Sequence, residues 1–327
     1  MAGARVAALR LAACCLLALV ACSFAGNECT PGRYGRYVSS RIDLREPVLL
    51  EAAALDDACE WEAPPPRGLA RVERLVVEEA LANSGVAAAA PLFNDVRAAD
   101  AAGRTCAVVG NGGVLLGRGL GREIDTHDVV IRFNFGPVDG YERDVGSRTT
   151  VRMFYPESSD LLRETSSAQT LQGLWLFRAH DVAGVYWLRH LLVGDRVQIA
   201  HWKGSDWLNL TTTLPVARSN VAVAAPSFLR YVSRRWLDGH KPSSGLEGIV
   251  MALHLCEHVS VYGFNVQDAD APYYYFSELP TRTILHNANA SMSHDFGAEQ
   301  AVRWALHDAG AIVDRTGEVF ARPSWPA

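Results

Sequence analysis

His294 and Glu299 stand five residues apart, and a histidine beside an acid can move a proton. Five positions on a helix are half a turn out of line. The pair therefore works best with His294 in the lead-in and Glu299 inside the helix. An imidazole beside a helix N-terminus has its cationic form disfavoured. A neutral imidazole is what a general base must be at working pH. A lone histidine in such a place is more often a structural hydrogen-bonding residue. Glu299 reads as a structural partner rather than a second base.

Two further segments can hold an anion. Cys106-Ala107-Val108-Val109-Gly110-Asn111-Gly112-Gly113 reads as a strand ending in glycines, where backbone can turn sharply and approach a ligand closely. Ligands of open α/β sheets sit beyond such strand ends. The dinucleotide fingerprint G-x-G-x-x-G is incomplete, because Leu115 occupies the third glycine position. Asn134, at the end of the next apolar run, can reach the same crevice with an amide that both donates and accepts. Further on, Ser243 or Ser244 can cap a helix starting near Gly245. The unpaired N–H groups there, with the helix dipole, suit a carboxylate or phosphate. Tyr273-Tyr274-Tyr275-Phe276 reads on its own as packing.

The elements that must position these residues follow an α/β pattern. Short apolar runs at 105–110, 129–133, 150–154, 174–177, 197–201 and 259–264 predict strands. Helices are predicted over 71–81, 182–192, 245–256 and 297–307, and over 221–237 despite Pro226. Strands alternating with helices imply a mainly parallel sheet covered on both faces.

The chain of 327 residues, 49% hydrophobic and 20% charged, suits one sizeable domain with appendages. A net charge of -5 gives no argument for a nucleic-acid partner. Arg5 and Arg10 precede an apolar run over 11–25, with Ala21, Ser23 and Ala25 as small residues for cleavage. The run fits a signal peptide, and equally a short uncleaved anchor. Either form directs the rest of the chain into the secretory lumen. Residues 26–66 end in Pro64-Pro65-Pro66 and read as a stem or linker. That leaves 67–327 as the catalytic domain. Outside the apolar run lie Cys29, Cys59, Cys106 and Cys256, which permit three pairings. Sequons at Asn209 and Asn289 agree with a lumenal route.

The residues over 106–157 carry more than a loop. Gly110-Asn111-Gly112-Gly113 is followed by Ile124-Asp125-Thr126-His127-Asp128, Arg132-Phe133-Asn134, Gly146-Ser147-Arg148-Thr149-Thr150 and Tyr155-Pro156-Glu157-Ser158. This order closely resembles the large sialylmotif of the eukaryotic sialyltransferase family, the sialylmotif-containing glycosyltransferases of family 29. Pro242-Ser243-Ser244-Gly245 with Cys256 and Tyr262-Gly263-Phe264 resembles its small motif. His294 to Glu299 matches its very small motif.

The resemblance implies a single Rossmann-like domain, a GT-A-like variant with a mainly parallel sheet. It implies transfer of sialic acid from CMP-sialic acid to an acceptor glycan, with inversion, without a metal or other cofactor, and with His294 as base. Gly110, Asn111, Gly112, Asn134, Ser243, Ser244 and Gly245 would hold the CMP. It also implies a Cys106–Cys256 disulfide, which would pin the first nucleotide loop to the anion-binding helix. Localisation would be the Golgi membrane, as a type II protein with a lumenal catalytic domain. The sequence departs from the family at Tyr273-Tyr274, where motif III usually opens with a histidine that assists the departing phosphate. A tyrosine hydroxyl can donate one hydrogen bond there and supplies no positive charge. Transfer of another CMP-activated acidic sugar such as Kdo, and a catalytically silent binding protein on the same fold, remain open alternatives. So does an NAD-dependent oxidoreductase, against which the incomplete fingerprint speaks.

Overall fold

The computed structural model describes residues 41–43, 48, 93, 103–134, 136–156, 170–178, 182–193, 216–264, 272–278 and 294–316. The expected segments at 1–25, 26–66, 71–81 and 197–201 lie outside these, apart from the few positions named. So do Cys29, Cys59, Asn209, Asn289, Glu157 and Ser158.

The strands are β1 (Thr105–Val109), β2 (Val129–Phe133), β3 (Val151–Phe154), β4 (Leu174–Phe177), β5 (Val221–Val223), β6 (His258–Tyr262) and β7 (Val313–Asp314). They form one seven-stranded sheet in the order β5-β4-β3-β2-β1-β6-β7. Every pairing is parallel. The described helices are α1 (Gly121–Asp125), α2 (Glu142–Val145), α3 (Val182–Val193), α4 (Pro226–Trp236), α5 (Ser244–Leu255) and α6 (Phe296–Asp308).

A parallel sheet buried on both faces favours near-continuous apolar strands. β1 supplies Cys-Ala-Val-Val after Thr105, and β2 supplies Val-Val-Ile before the buried Arg132, which donates to the Val145 and Arg148 carbonyls. Side chains alternate between two cores. Cys106 and Val108 of β1 join the large cluster that includes α5, while Ala107 and Val109 face Leu115, Ile124 and Tyr262. An aromatic group of Phe154, Trp175, Phe177 and Trp187 fills the sheet's other half, with ring centroids 5.3–6.4 Å apart.

The helix expected over 221–237 is in fact a strand and a helix. Residues 221–223 pair with β4 as β5, and α4 starts with Pro226 in its first turn. Proline's fixed φ and missing N–H suit the first helical position and break a run across it. The pattern Val-Ala-Val is too short to be separated from a helix by periodicity alone.

Cys106 and Cys256 are joined, Cα atoms 5.7 Å apart, closing a separation of 150 residues. The bond does not hold the first loop, as the resemblance suggested. Cys106 is near the start of β1 and Cys256 is the C-cap of α5. The bridge therefore clamps the ends of both elements that lie away from the loop, about 18 Å from the N-terminus of a twelve-residue helix.

Candidate active site

The sheet order reverses between β1 and β6. From β1 the chain runs outward through β2 to β5, then returns to β6 on the other side. Such a switch point leaves a crevice at the carboxyl ends of the two strands. The glycine segment after β1 and Gly263 after β6 meet there. Gly110 donates to the Tyr262 carbonyl at 2.7 Å and Gly112 to that of Gly263 at 3.0 Å. A methyl on Gly110 would lie 2.6 Å from the Gly263 carbonyl oxygen, and one on Gly112 2.5 Å from it. These glycines therefore serve close backbone packing. The left-handed conformation belongs to Gly263, at φ 73°. This refines the expectation of a sharp turn at 110–112.

The segment 272–276 lies across the same loop. Gly112 and Tyr274 form an antiparallel bridge, and the Tyr275 N–H donates to the Asn111 carbonyl at 2.9 Å. The Asn111 amide donates to the Phe133 carbonyl at 3.2 Å, tying β1's loop to the end of β2. The next residue, Asn134, is left-handed at φ 52°, a conformation asparagine tolerates better than most residues. Its carbonyl accepts from Arg152 Nη1 at 2.7 Å, and Gly136 accepts from the same atom at 3.2 Å. Arg152 is wholly enclosed. Burial, then the neighbouring Arg132, brings its pKa down to about 9.

Tyr273 and Tyr274 stand on the rim of this arrangement. Tyr274 stacks on Phe276 with centroids 5.0 Å apart, and Tyr273 packs edge-on against Tyr274. Burial foremost, then the fields of Tyr155 and Glu299, raises the Tyr273 pKa. Both hydroxyls stay protonated donors. Tyr275 points the other way: it is buried, its hydroxyl donates to Pro137 at 2.7 Å, and its pKa is pushed up to about 12 by burial.

The second half of the site surrounds the start of α5. Ser243 is the N-cap, and its hydroxyl oxygen accepts from the Leu246 N–H at 3.3 Å. Ser244 is the first helical residue, so of the two serines the cap is Ser243. The same hydroxyl donates to Glu299 Oε2 at 2.5 Å, and the Ser243 N–H donates to Oε1 at 2.6 Å. The Ser243 side chain is thus engaged within the protein. The N–H groups of Ser244 and Gly245 have no acceptor inside the helix. Gly245 sits under Phe264, whose ring would be 2.7 Å from an added methyl.

His294 lies just before α6, as its spacing from Glu299 implied. Its Nδ1 is 3.1 Å from the Lys241 carbonyl. A carbonyl only accepts, so Nδ1 carries the proton and Nε2 presents a lone pair. Burial foremost, with the positive fields of Arg178 and Lys241, lowers its pKa against the opposing carbonyl bond. Lys241 and Ser243 are two residues apart, so His294 and the helix cap are held by one short segment. His127, by contrast, contacts the carbonyls of Glu123 and Ile124 and closes α1. Asp128 accepts from the backbone and hydroxyl of Thr105. Among the described residues no three His, Cys, Asp or Glu side chains converge as a metal site would.

Sequence reasoning missed Arg152 and Arg178. Arg152 lies inside an apolar strand, Val-Arg-Met-Phe, and Arg178 follows directly on another, Leu-Trp-Leu-Phe-Arg. A cation in that place is the signal available beforehand, because burial is costly for it without partners.

The sequence model of Glycosyltransferase family 29 (sialyltransferase) matches residues 70–311. A mouse CMP-N-acetylneuraminate-beta-1,4-galactoside alpha-2,3-sialyltransferase is 31% identical over 223 residues, covering 64% of this chain and 57% of that protein. The human type 2 lactosamine alpha-2,3-sialyltransferase is 33% identical over 227 residues, 65% of each chain. The chain thus spans somewhat less than two thirds of these two relatives. A crystal structure of a mammalian sialyltransferase in complex with Gal-beta-1-3GalNAc-ortho-nitrophenol superposes with a TM-score of 0.67 at 25% identity, over 89% of this chain and 99% of that one.

Proposed function

The chain belongs to glycosyltransferase family 29, the sialyltransferases, and on that premise we propose that it transfers sialic acid from CMP-sialic acid to a glycan ending in galactose, with an α2,3 linkage. The linkage and the galactose rest on the names of the relatives. The observation that carries the chemistry is the tautomer of His294, fixed by the Lys241 carbonyl with Nε2 left basic.

In this reading the Nε2 of His294 takes the proton from the acceptor hydroxyl. That oxygen attacks the anomeric carbon as the bond from this carbon to the CMP phosphate oxygen breaks. One displacement inverts the anomeric configuration, and the electron pair leaves with CMP. The backbone at 110–113, with Asn111 and Asn134, lines the nucleotide crevice. The N–H groups of Ser244 and Gly245 face the negative charge that grows on the phosphate. The hydroxyls of Tyr273 and Tyr274 add donors where the family usually has an imidazole. No metal enters this scheme. Fixed positioning of the two reactants supplies much of the rate.

The protein works in the Golgi lumen, held to the membrane by its N-terminal apolar run. Among the described residues no helix is long and apolar enough to cross a membrane. The test is a donor panel: CMP-sialic acid, CMP-Kdo, free CMP and NAD are offered separately with a galactose-terminated acceptor. Transfer from CMP-sialic acid alone is expected. Transfer from CMP-Kdo alone would replace the donor. Binding of CMP without turnover of any donor would make this a silent relative.

A further inference from the structure

Three consecutive residues link the parts of the site, and each has a different anchor. The Lys241 carbonyl accepts from His294, the Pro242 carbonyl accepts from Arg178 Nη2 at 2.5 Å, and Ser243 gives two hydrogen bonds to Glu299. Arg178 follows directly on β4, is 2% exposed, and grips Glu247 of α5 through both Nε and Nη2. Two forked bonds between one guanidinium and one carboxylate fix orientation as well as distance.

We propose that Arg178 is the positioning residue of the base, setting the 241–243 strap against His294 by holding the Pro242 carbonyl between β4 and α5. The inference rests on the reading of His294 as the base. Proline makes the strap suited to this. Its ring fixes φ, so fixing the Pro242 carbonyl also limits where the Lys241 carbonyl can point. A loose strap would let the imidazole swap tautomers or turn, and Nε2 would then be misplaced.

Charge acts in the same direction. The fields that reach the ring from other elements are those of Arg178 and Lys241, both cationic. On its own segment, Asp295 caps the Ala298 N–H and Glu299 is bound to Ser243. Arg178 also stabilises the ionised form of Glu299. One buried cation thus disfavours imidazolium at position 294 and favours carboxylate at position 299.

The test uses the full chain and two variants, Arg178→Lys and the paired Arg178→Met with Glu247→Met, which removes both charges together. The nitrogen resonances of His294, identified by their loss in His294→Gln, are followed against pH alongside kcat and KM. In the paired variant the His294 midpoint should rise, the Nδ1–H signature should weaken, and kcat should fall about tenfold or more with KM within about threefold. Arg178→Lys keeps the charge and loses the fork. It should keep the low midpoint and still lower kcat. If the paired variant does not fold, Arg178→Lys decides alone. Unchanged His294 resonances and kcat in a folded variant would overturn the proposal. A ring that responds while kcat does not move would uphold the strap and refute the base reading instead.

Discussion

Glu299 binds Ser243 with both carboxylate oxygens, one on the backbone N–H at 2.6 Å and one on the hydroxyl at 2.5 Å. The first turn of α6 thereby holds the N-cap of α5. His294 sits just before the cap of α6, and the N–H groups of Ser244 and Gly245 follow the cap of α5. Burial pushes the Glu299 pKa up, and the two bonds from Ser243 with the Arg178 field oppose that rise.

Glu299→Gln should therefore damage binding as well as stability. An amide offers one acceptor oxygen where Ser243 presents two donors, so the half-buried hydroxyl loses its acceptor, at a cost of about 1 kcal/mol. The expected outcome is a lower melting temperature and weaker CMP binding, measured by calorimetry. A variant that melts and binds like the wild type would show that the pairing does not matter.

The pH dependence follows from His294. Its pKa is depressed below the ordinary histidine value of 6.5, chiefly by burial. A base works when neutral, so kcat/KM should be retained as pH falls past 6.5 and lost only as it falls through the depressed value. The same depression makes folding stability rise with pH between the folded and unfolded pKa values, since the unfolded chain binds more protons there. A rate profile whose acid limb lies above the ordinary histidine range would contradict the assigned environment.

Gly112→Ala should force apart the loop after β1 and the turn after β6. The added methyl would sit 2.5 Å from the Gly263 carbonyl oxygen, a backbone atom with no rotamer to change. A loss of about 1–3 kcal/mol is expected, with a larger proportional loss of CMP affinity than of melting temperature. Normal CMP affinity in the variant would mean that this loop does not form the cradle.

Reduction of Cys106–Cys256 should act on stability rather than on the crevice, because the bridge lies at the far ends of β1 and α5. Its long loop corresponds to about 4–5 kcal/mol in the chain-entropy model. Reduced protein should melt well below the oxidised form yet bind CMP while it stays folded. Loss of CMP binding in reduced, still-folded protein would put the bridge's influence at the site.

Much of this architecture was legible beforehand. β2 and β4 fall where their apolar runs predict, and α5 and α6 start within a residue of their predicted starts, because strong caps and unbroken burial mark those boundaries. β5 was not, since three residues of strand followed by Pro226 look like one helix until β4 pairs with them. The short helices α1 and α2 lack the length to show a period. The placement of His294 ahead of a helix, of Glu299 inside it and of the glycines just after a strand was legible from residue type and order. The strap was not: it depends on Arg178 and Lys241, which lie 63 residues apart in sequence and meet His294 through tertiary packing.

In the proposed mechanism the imidazole at position 294 performs the proton transfer beside a CMP site it does not build. The direct measurement is His294→Ala, with CMP affinity by calorimetry and transfer from CMP-sialic acid in one preparation. The expected result is CMP affinity within about threefold of wild type and transfer reduced about 100-fold or more. Wild-type transfer in that variant would contradict the account.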